Sequence, residues 1–223
     1  MKLVEISGWI ENGMWNYGDE LNEEIFAGPK IVEVANVKKD GFSAHRFEMS
    51  ILTGTYFETG AHILPDVRTV DEVSVEELFL DCSIIKLKEK GPSEHIKVEE
   101  LEGSGVVVKE GDCLIIYTGW YKMWNKKNFV LNSPHFEYKA MDWIISKKVK
   151  ILAGDIPCYD DIKDPNDSKN LPNLRNLYLS GAMCLAPVVN GDKLENGRGK
   201  IIIMPLQVKE LAASPSRAVV ILP

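Results

Sequence analysis

The stretch Leu52–His62 reads LTGTYFETGAH and indicates the fold better than any other part of the chain. Gly54 and Thr55 form a predicted turn, and an aromatic residue, Glu58 and His62 follow it. This order of turn, aromatic ring, carboxylate and histidine is typical of a segment that directs polar side chains into a cleft. The open question is whether the segment is a working metal site or what remains of one.

The composition predicts one large domain spanning residues 1–223. With 45% hydrophobic residues, the chain is long enough to bury a sizeable core. Its net charge of -7 argues against a nucleic-acid partner, which would need a basic face. No apolar run reaches about 18 residues and no secretory signal pattern opens the sequence, so we expect a cytoplasmic protein without a membrane partner. The four cysteines lack paired metal or redox spacing, which favours buried thiols.

Strand-like runs alternate with two helical patterns. One helix is expected at the capping-box spacing of Ser74 and Glu77, and another after Ser133, where apolar residues recur with helical spacing. The second helix leads directly into VKILAGDIP, which is the αβ half of a layered α/β unit. The runs rich in β-branched residues are KIVEVANV, GFSAHRFEMSIL, CSIIKLK, GVVV, CLIIYTG, VKILAGDI, KIIIMPLQV and RAVVILP.

Six segments, in the same order over nearly the whole length, resemble the cyclase family, which includes bacterial kynurenine formamidase and isatin-hydrolase-like enzymes. The segments are ISGWIENGMWNYGDE, TGTYFETGAH, GDCLIIYTGW, PHFEYKAMDWI, GDIP, and MPLQV with SPSRAVVIL. The resemblance implies a single α/β domain with a mixed, partly barrel-like β-sheet core and packed helices. It also implies a homodimer or homotetramer.

The family's signature resembles His-x-Gly-Thr-His-x-Asp-x-Pro-x-His. In the family, two histidines and the aspartate hold a divalent metal, zinc or manganese, and the last histidine acts as acid or base. The resemblance places these four functions, in order, on Leu52, Tyr56, Glu58 and His62. Only Glu58 and His62 keep side chains that can bind a metal.

A further histidine and glutamate of the family fall, without a gap, on Leu174 and Ala186, and neither can bind a metal. No histidine follows His135, so no shift of register restores the missing ligand. We therefore expect a divalent metal to be weakly bound or absent, although His45, Asp155 or a cysteine remains open as a replacement ligand.

Two interpretations of Glu58 and His62 follow. In the first, His62 is a general base oriented by Glu58, and backbone N–H groups of the Gly54 turn meet the charge that develops on a carbonyl oxygen. Such a pair contributes about 10² to 10⁴ in rate, less than a zinc-bound hydroxide. In the second, both residues are hydrogen-bonded remnants of an ancestral site.

Six further residues are candidates for binding a substrate, and each has an ordinary structural alternative. The aromatic side chains can line a pocket for a flat ligand or pack in the core. An aspartate that follows a strand can face a cleft or form a turn. The candidates are Trp15, Gly54, Thr55, Tyr56, Trp120 and Asp155.

The function predicted from this sequence is a hydrolase that acts on the C–N or C–O bond of a small amide, formamide or lactone. The alternative is a catalytically silent protein that keeps the pocket and binds a small molecule. Metal content and hydrolytic activity distinguish the two.

Overall fold

A computed structural model describes residues 1–223, and most of its strands form one mixed sheet. The strands are β1 (Lys2–Glu5), β2 (Lys30–Ala35), β3 (Ala44–Glu48), β4 (Tyr56–Glu58), β5 (Phe79–Lys86), β6 (His95–Ile96), β7 (Cys113–Tyr117), β8 (His135–Phe136), β9 (Ile151–Gly154), β10 (Met183–Ala186), β11 (Gly197–Pro205) and β12 (Ala213–Leu222). The helices are α1 (Tyr17–Leu21), α2 (Val37–Asp40), α3 (Val98–Gly103), α4 (Tyr138–Ser146), α5 (Pro165–Asn170) and α6 (Pro172–Leu179). Single 3₁₀ turns include Gly60–His62 and Val75–Leu78.

The main sheet closes on itself into a barrel. Its strand order is β1-β12-β11-β5-β7-β9-β10-β4, and β4 pairs again with β12, so that seven strands form a ring and β1 lies outside it. The central strands β5, β7, β9 and β10 are parallel, and the other pairs are antiparallel. Strands β7 and β9 are buried along their whole length, as parallel strands covered on both faces usually are. The predicted mixed, partly barrel-like α/β fold is confirmed.

Alternate side chains of the ring point into two different cores. Phe57, Ile115 and Leu185 belong to a cluster that includes no residue of α1–α6, which is the barrel interior. Tyr56 and Cys184 belong to a second cluster with residues of α1, α4 and α6, on the outer face of the barrel. The site therefore lies outside the barrel, between the sheet and the segments that cover it.

The helices differ from the sequence predictions in their bounds. The helix expected after Ser133 begins only at Tyr138, because β8 intervenes, and it buries Ala140, Met141 and Ile144. The capping box at Ser74 forms, but it starts one 3₁₀ turn and no longer helix. The longest helix, α4, has nine residues, and none of the helices has the length and hydropathy needed to cross a bilayer.

Strands β2 and β3 form a separate two-stranded hairpin outside the barrel. Neither strand contains a buried residue, and Val34 and Phe47 expose 55% and 58% of their surface. A two-stranded hairpin of this kind is at best marginally stable without packing partners.

Candidate functional site

A cavity of about 550 Å³ opens on the outer face of the barrel, over β4 and β10. Glu58 lies opposite Cys184 across these strands, and Tyr56 lies opposite Ala186. Segments of α1, of the loop after β9 and of α6 cover the strands and complete the wall. All six positions that the resemblance associates with the family site line this one cavity: Leu52, Tyr56, Glu58, His62, Leu174 and Ala186.

Glu58 is the most deeply buried carboxylate of this wall apart from Asp160, with 3% of its surface exposed. Its Oε1 accepts a hydrogen bond from the hydroxyl of Tyr178, whereas Oε2 makes none within the protein. Burial raises the pKa of Glu58, and the nearby charge of His62 and the Tyr178 hydrogen bond oppose that rise. One carboxylate oxygen is therefore held in place while the other is left for a ligand.

His62 ends the 3₁₀ turn Gly60–His62, which follows β4 directly. The imidazole is partly exposed and lines the cavity, where its charge acts on Glu58. No hydrogen bond joins the two side chains, and the hydrogen-bond partner of Glu58 is Tyr178. The two residues thus share the cavity as separate groups that interact through their charges.

Tyr56 occupies a metal-ligand position of the family signature, and its hydroxyl is bonded to Tyr17. The two phenolic oxygens are 2.7 Å apart, and Tyr17 donates its hydrogen to the carbonyl oxygen of Pro157 at 2.7 Å. Tyr56 is consequently the donor within the pair. Burial raises the pKa of both phenols well above the usual value, so both keep their protons.

A second hydrogen-bond network, which joins a thiol to a phenol, lies on the same wall. The thiol of Cys184 donates to the hydroxyl of Tyr159 at 3.2 Å, and Tyr159 donates to the carbonyl oxygen of Leu152. Burial raises the pKa of Cys184 and also that of Cys158, a further lining residue. Both thiols therefore stay protonated, which makes them poor nucleophiles.

The side chains at this site do not fit a tightly bound divalent metal. No group of three or more His, Cys, Asp or Glu residues in the chain has the geometry of a metal site. Of the metal-ligand positions that the resemblance assigns, Glu58 alone keeps a side chain that can bind a metal, and His62 stands at the acid/base position. One oxygen of Glu58 is already bonded to Tyr178. Of the replacement ligands left open by the sequence, His45 lies on the exposed β3 and Asp155 is bonded to Thr118. Cys158 and Cys184 do line the cavity, but burial raises the pKa of both thiols and so disfavours the thiolate that binds a metal.

Gly54 and Thr55 do not line the cavity. Gly54 has a φ of +69°, and a side chain there would meet Ile10 at 2.9 Å, so the turn requires glycine. The hydroxyl of Thr55 donates to the carbonyl oxygen of Pro187 at 2.6 Å and accepts the N–H of Gly8 at 3.0 Å. Gly54 thus provides the turn before β4, and Thr55 fixes that turn by hydrogen bonds to the backbone of Gly8 and Pro187.

Trp15 and Trp120 also lie outside the cavity lining. Trp15 is buried edge-on to the rings of Tyr17 and Trp124, where it supports the cavity wall from behind. The indole N–H of Trp120 donates to the carbonyl oxygen of Phe129 at 2.8 Å. Both side chains fill the core, which was the alternative considered for these aromatic clusters.

Asp155 is fully buried at the end of β9 and organises a backbone turn. Its Oδ1 accepts hydrogen bonds from the N–H and hydroxyl of Thr118, and its Oδ2 accepts one from the N–H of Tyr121. Burial raises the pKa of Asp155 to about 6, and these hydrogen bonds oppose that rise. The carboxylate is therefore committed to the loop after β7.

Three residues of the site were absent from the sequence prediction: Tyr159, Tyr178 and Cys184. Tyr178 follows Leu174 by four residues on α6, so helical spacing from that family position identifies it. Cys184 is two residues before Ala186 on β10 and shares its face. No comparable sequence signal marks Tyr159, because its contact with Cys184 joins separate segments of the chain.

Known proteins resemble this chain over nearly all of its length. Kynurenine formamidase of Bacillus cytotoxicus is 26% identical, covering 97% of this chain and 99% of that protein. An isatin hydrolase bound to the product analogue thioisatinate has a TM-score of 0.86 at 19% identity, covering 100% of this chain and 92% of that one. A potential metal-dependent hydrolase with cyclase activity has a TM-score of 0.78 at 17% identity, covering 98% and 96%. The Cyclase family model matches residues 4–161, well over half of the sequence, and this protein is therefore a member of the Cyclase family.

Proposed function

We propose that this protein is a hydrolase that cleaves the C–N or C–O bond of a small amide, formamide or lactone in the cavity over β4 and β10. The observation that carries the proposal is the convergence of all six family positions on one cavity that still contains Glu58 and His62. The resemblance to a kynurenine formamidase, together with the fold shared with an isatin hydrolase, supports the same class of reaction.

In the proposed reaction, His62 is the general base. Its imidazole takes a proton from water as the water oxygen attacks the carbonyl carbon, which gives a tetrahedral intermediate with an oxyanion. The tetrahedral intermediate then collapses with loss of the amine or alkoxide, which takes the proton back from the imidazolium. The carboxylate of Glu58 lines the same cavity, where its charge interacts with that of the imidazolium.

We propose that the reaction proceeds without a tightly bound divalent metal, since the cavity lacks a ligand set for one. The test begins with protein purified without chelators or a metal-affinity tag, whose metal content is measured by mass spectrometry. Hydrolysis of formanilide and of a small aromatic lactone is then assayed before and after treatment with EDTA. Metal at one equivalent, or activity abolished by EDTA and restored by Zn²⁺ or Mn²⁺, contradicts this part of the proposal.

The role of His62 is tested by His62→Ala, for which we expect kcat to fall by about 10² to 10⁴. His45→Ala is the matched control, because His45 lies on the exposed hairpin strand β3. Equal activities of these two variants would contradict a general-base role for His62.

A catalytically silent binding protein is the second candidate, and one observation favours it. Glu58 is bonded to Tyr178 and makes no hydrogen bond to His62, so the site has no preassembled carboxylate–histidine pair. Saturable ligand binding by metal-free protein, without turnover of any amide or lactone, would support this candidate over the hydrolase.

We also propose that the chain forms a homodimer or homotetramer in which the β2–β3 hairpin contacts a second copy. Val34 and Phe47 of the hairpin expose more than half of their surface, and burial of such residues stabilises an interface.

A further inference from the structure

The charge of the cavity indicates what kind of molecule enters it. Its twenty lining residues include four carboxylates and no lysine or arginine, and none of the four carboxylates forms a salt bridge within the protein. A cleft lined by one sign of charge concentrates ligands of the opposite sign. The four carboxylates belong to Glu20, Glu23, Glu58 and Asp160.

Two cationic side chains adjacent in sequence to lining residues hydrogen-bond neutral groups and not the carboxylates of this wall. The ammonium group of Lys163 donates to Ser93 and Asn132 at 2.9 and 2.7 Å. The guanidinium of Arg175 donates to the carbonyl oxygen of Asn170 at 3.3 Å. The negative charge of the lining is therefore not paired with a lysine or arginine of the wall.

The deeply buried Glu58 adds a specific indication of a ligand. Its Oε2 has no hydrogen-bond partner in the protein, although the residue is 3% exposed and lines the cavity. Burial raises the pKa of Glu58, and the charge of His62 and the hydrogen bond from Tyr178 oppose that rise. A hydrogen-bond donor of a bound ligand can occupy the free Oε2.

One side of the cavity combines acidic and aromatic groups. The segment 17–26 contributes Tyr17, Glu20, Glu23 and Phe26 to the wall, and the rings of Tyr17 and Phe26 are 6.3 Å apart and edge-on. Glu20 Oε2 accepts the N–H groups of Val130 and Leu131, which leaves Oε1 without a hydrogen-bond partner in the protein. Carboxylates beside aromatic faces are the usual surroundings of a bound ammonium group.

We propose that the cavity binds a small organic cation, an aromatic or apolar molecule with a protonated amine and no carboxylate, whose ammonium group lies against the segment 17–26. This inference rests on the proposed function for the reaction, because the amide or lactone bond of that molecule would then face His62. The site would correspondingly disfavour anionic substrates, since none of its side chains offers a permanent positive charge.

Binding is tested with three probes of the same shape: benzylammonium, benzyl alcohol and benzoate. Isothermal titration at low ionic strength is expected to give affinities in that order, with benzylammonium at least about tenfold tighter than benzoate. The preference should weaken as salt is added. Benzoate binding as well as benzylammonium, or better, would overturn the inference.

Charge reversal at the mouth of the cavity provides a matched pair of variants. Glu23 is exposed and lines the cavity, whereas its neighbour Glu24 is exposed and does not. Glu23→Lys is expected to weaken benzylammonium binding about threefold or more and to leave benzyl alcohol binding unchanged, while Glu24→Lys has the smaller effect. Equal effects of the two variants would contradict the assignment of the ammonium group to this wall.

Hydrolysis is tested separately with three formanilides that carry para-aminomethyl, para-hydroxymethyl or para-carboxylate groups. Water adds to the formyl carbon, the C–N bond breaks, and the products are formate and the aniline. The cationic formanilide is expected to have the highest kcat/KM, mainly through KM, by about tenfold over the anionic one. If none is cleaved but benzylammonium still binds preferentially, the hydrolase proposal fails and the cation inference stands; a preference for the carboxylate compound overturns the inference.

Discussion

Glu58 depends on a single side chain for its position, because Tyr178 is its hydrogen-bond partner and both residues are buried. We expect Tyr178→Phe to lower the free energy of unfolding by about 1–2 kcal/mol, since it removes a buried hydrogen bond to a carboxylate. The pKa of Glu58 should rise further, because the hydrogen bond opposes the effect of burial. Urea denaturation measures the first effect, and carboxyl carbon NMR the second.

The control for this variant is Tyr138→Phe. Tyr138 also donates to a carboxylate, that of Asp167 at 2.5 Å, but it is 55% exposed. Its removal should change stability little, because exposed hydrogen bonds are exchanged for water. If the two variants have the same effect, Glu58 is not held by Tyr178 in solution.

The stretch Leu52–His62 shows which parts of a site can be predicted from neighbouring residues. Tyr56 and Glu58 are two apart on β4 and therefore face the same side, and counting without a gap from Asp164 places Leu174 and Ala186 in the same cavity. The role of the Gly54 turn was harder to predict. Its place beside Ile10 depends on how the N-terminal segment packs, and no local pattern encodes that contact.

The strands show the same difference: local sequence predicts where a strand lies, but it does not predict which distant strand pairs with it. The runs CLIIYTG and VKILAGDI predict β7 and β9, because apolar β-branched runs between glycines are typical of buried strands. The pairing of β4 with β12, which closes the barrel, joins residues more than 150 positions apart, and nothing in either strand specifies it. The polar composition after Tyr159 predicts an exposed loop, yet Asp160 is buried and accepts the N–H groups of Asn173 and Leu174.

Three strands of the barrel are tied together by Asp112, which directly precedes β7. Its carboxylate accepts a two-point contact from Arg198 of β11, at 2.5 and 2.9 Å, and a hydrogen bond from Ser83 of β5 at 2.5 Å. Burial tends to raise the pKa of Asp112, but these contacts and the N–H of Lys109 hold it below its ordinary value of 3.8. We expect Asp112→Asn to lower the free energy of unfolding by about 3 kcal/mol at pH 7.

The effect of Asp112→Asn should depend on pH in a defined direction. The pKa of Asp112 is lower in the folded protein, so its contribution is complete above the unfolded value near 3.8 and is lost as pH falls through the folded value. The difference between wild type and variant in urea denaturation should therefore be constant from pH 5 to 8 and shrink below about pH 4. Asp81→Asn, which removes an exposed pair with Lys200, is the control and should have little effect at any of these pH values.

Two apolar surfaces of the protein are candidates for contact with a second copy. One is the β2–β3 hairpin, where Phe42 and Phe47 expose 60% and 58% of their surface. The other surrounds Phe79, at the start of β5, and Met204, near the end of β11, which are 51% and 47% exposed. The hairpin is the stronger candidate because it lies outside the barrel sheet and neither of its strands contains a buried residue, whereas Phe79 belongs to a strand that the barrel already stabilises.

If the hairpin forms the interface, polar substitution on it should separate the copies. We expect wild-type protein to have twice or four times the monomer mass by light scattering, and Phe42→Ser with Phe47→Ser to shift the mass toward the monomer, because the substitutions remove apolar area from the interface core. Circular dichroism must show an unchanged barrel in the variant. Phe79→Ser, an equally exposed phenylalanine of the other surface, should leave the mass unchanged. Dissociation by Phe79→Ser alone would assign the contact to that surface, and a monomeric wild-type protein would contradict assembly through either one.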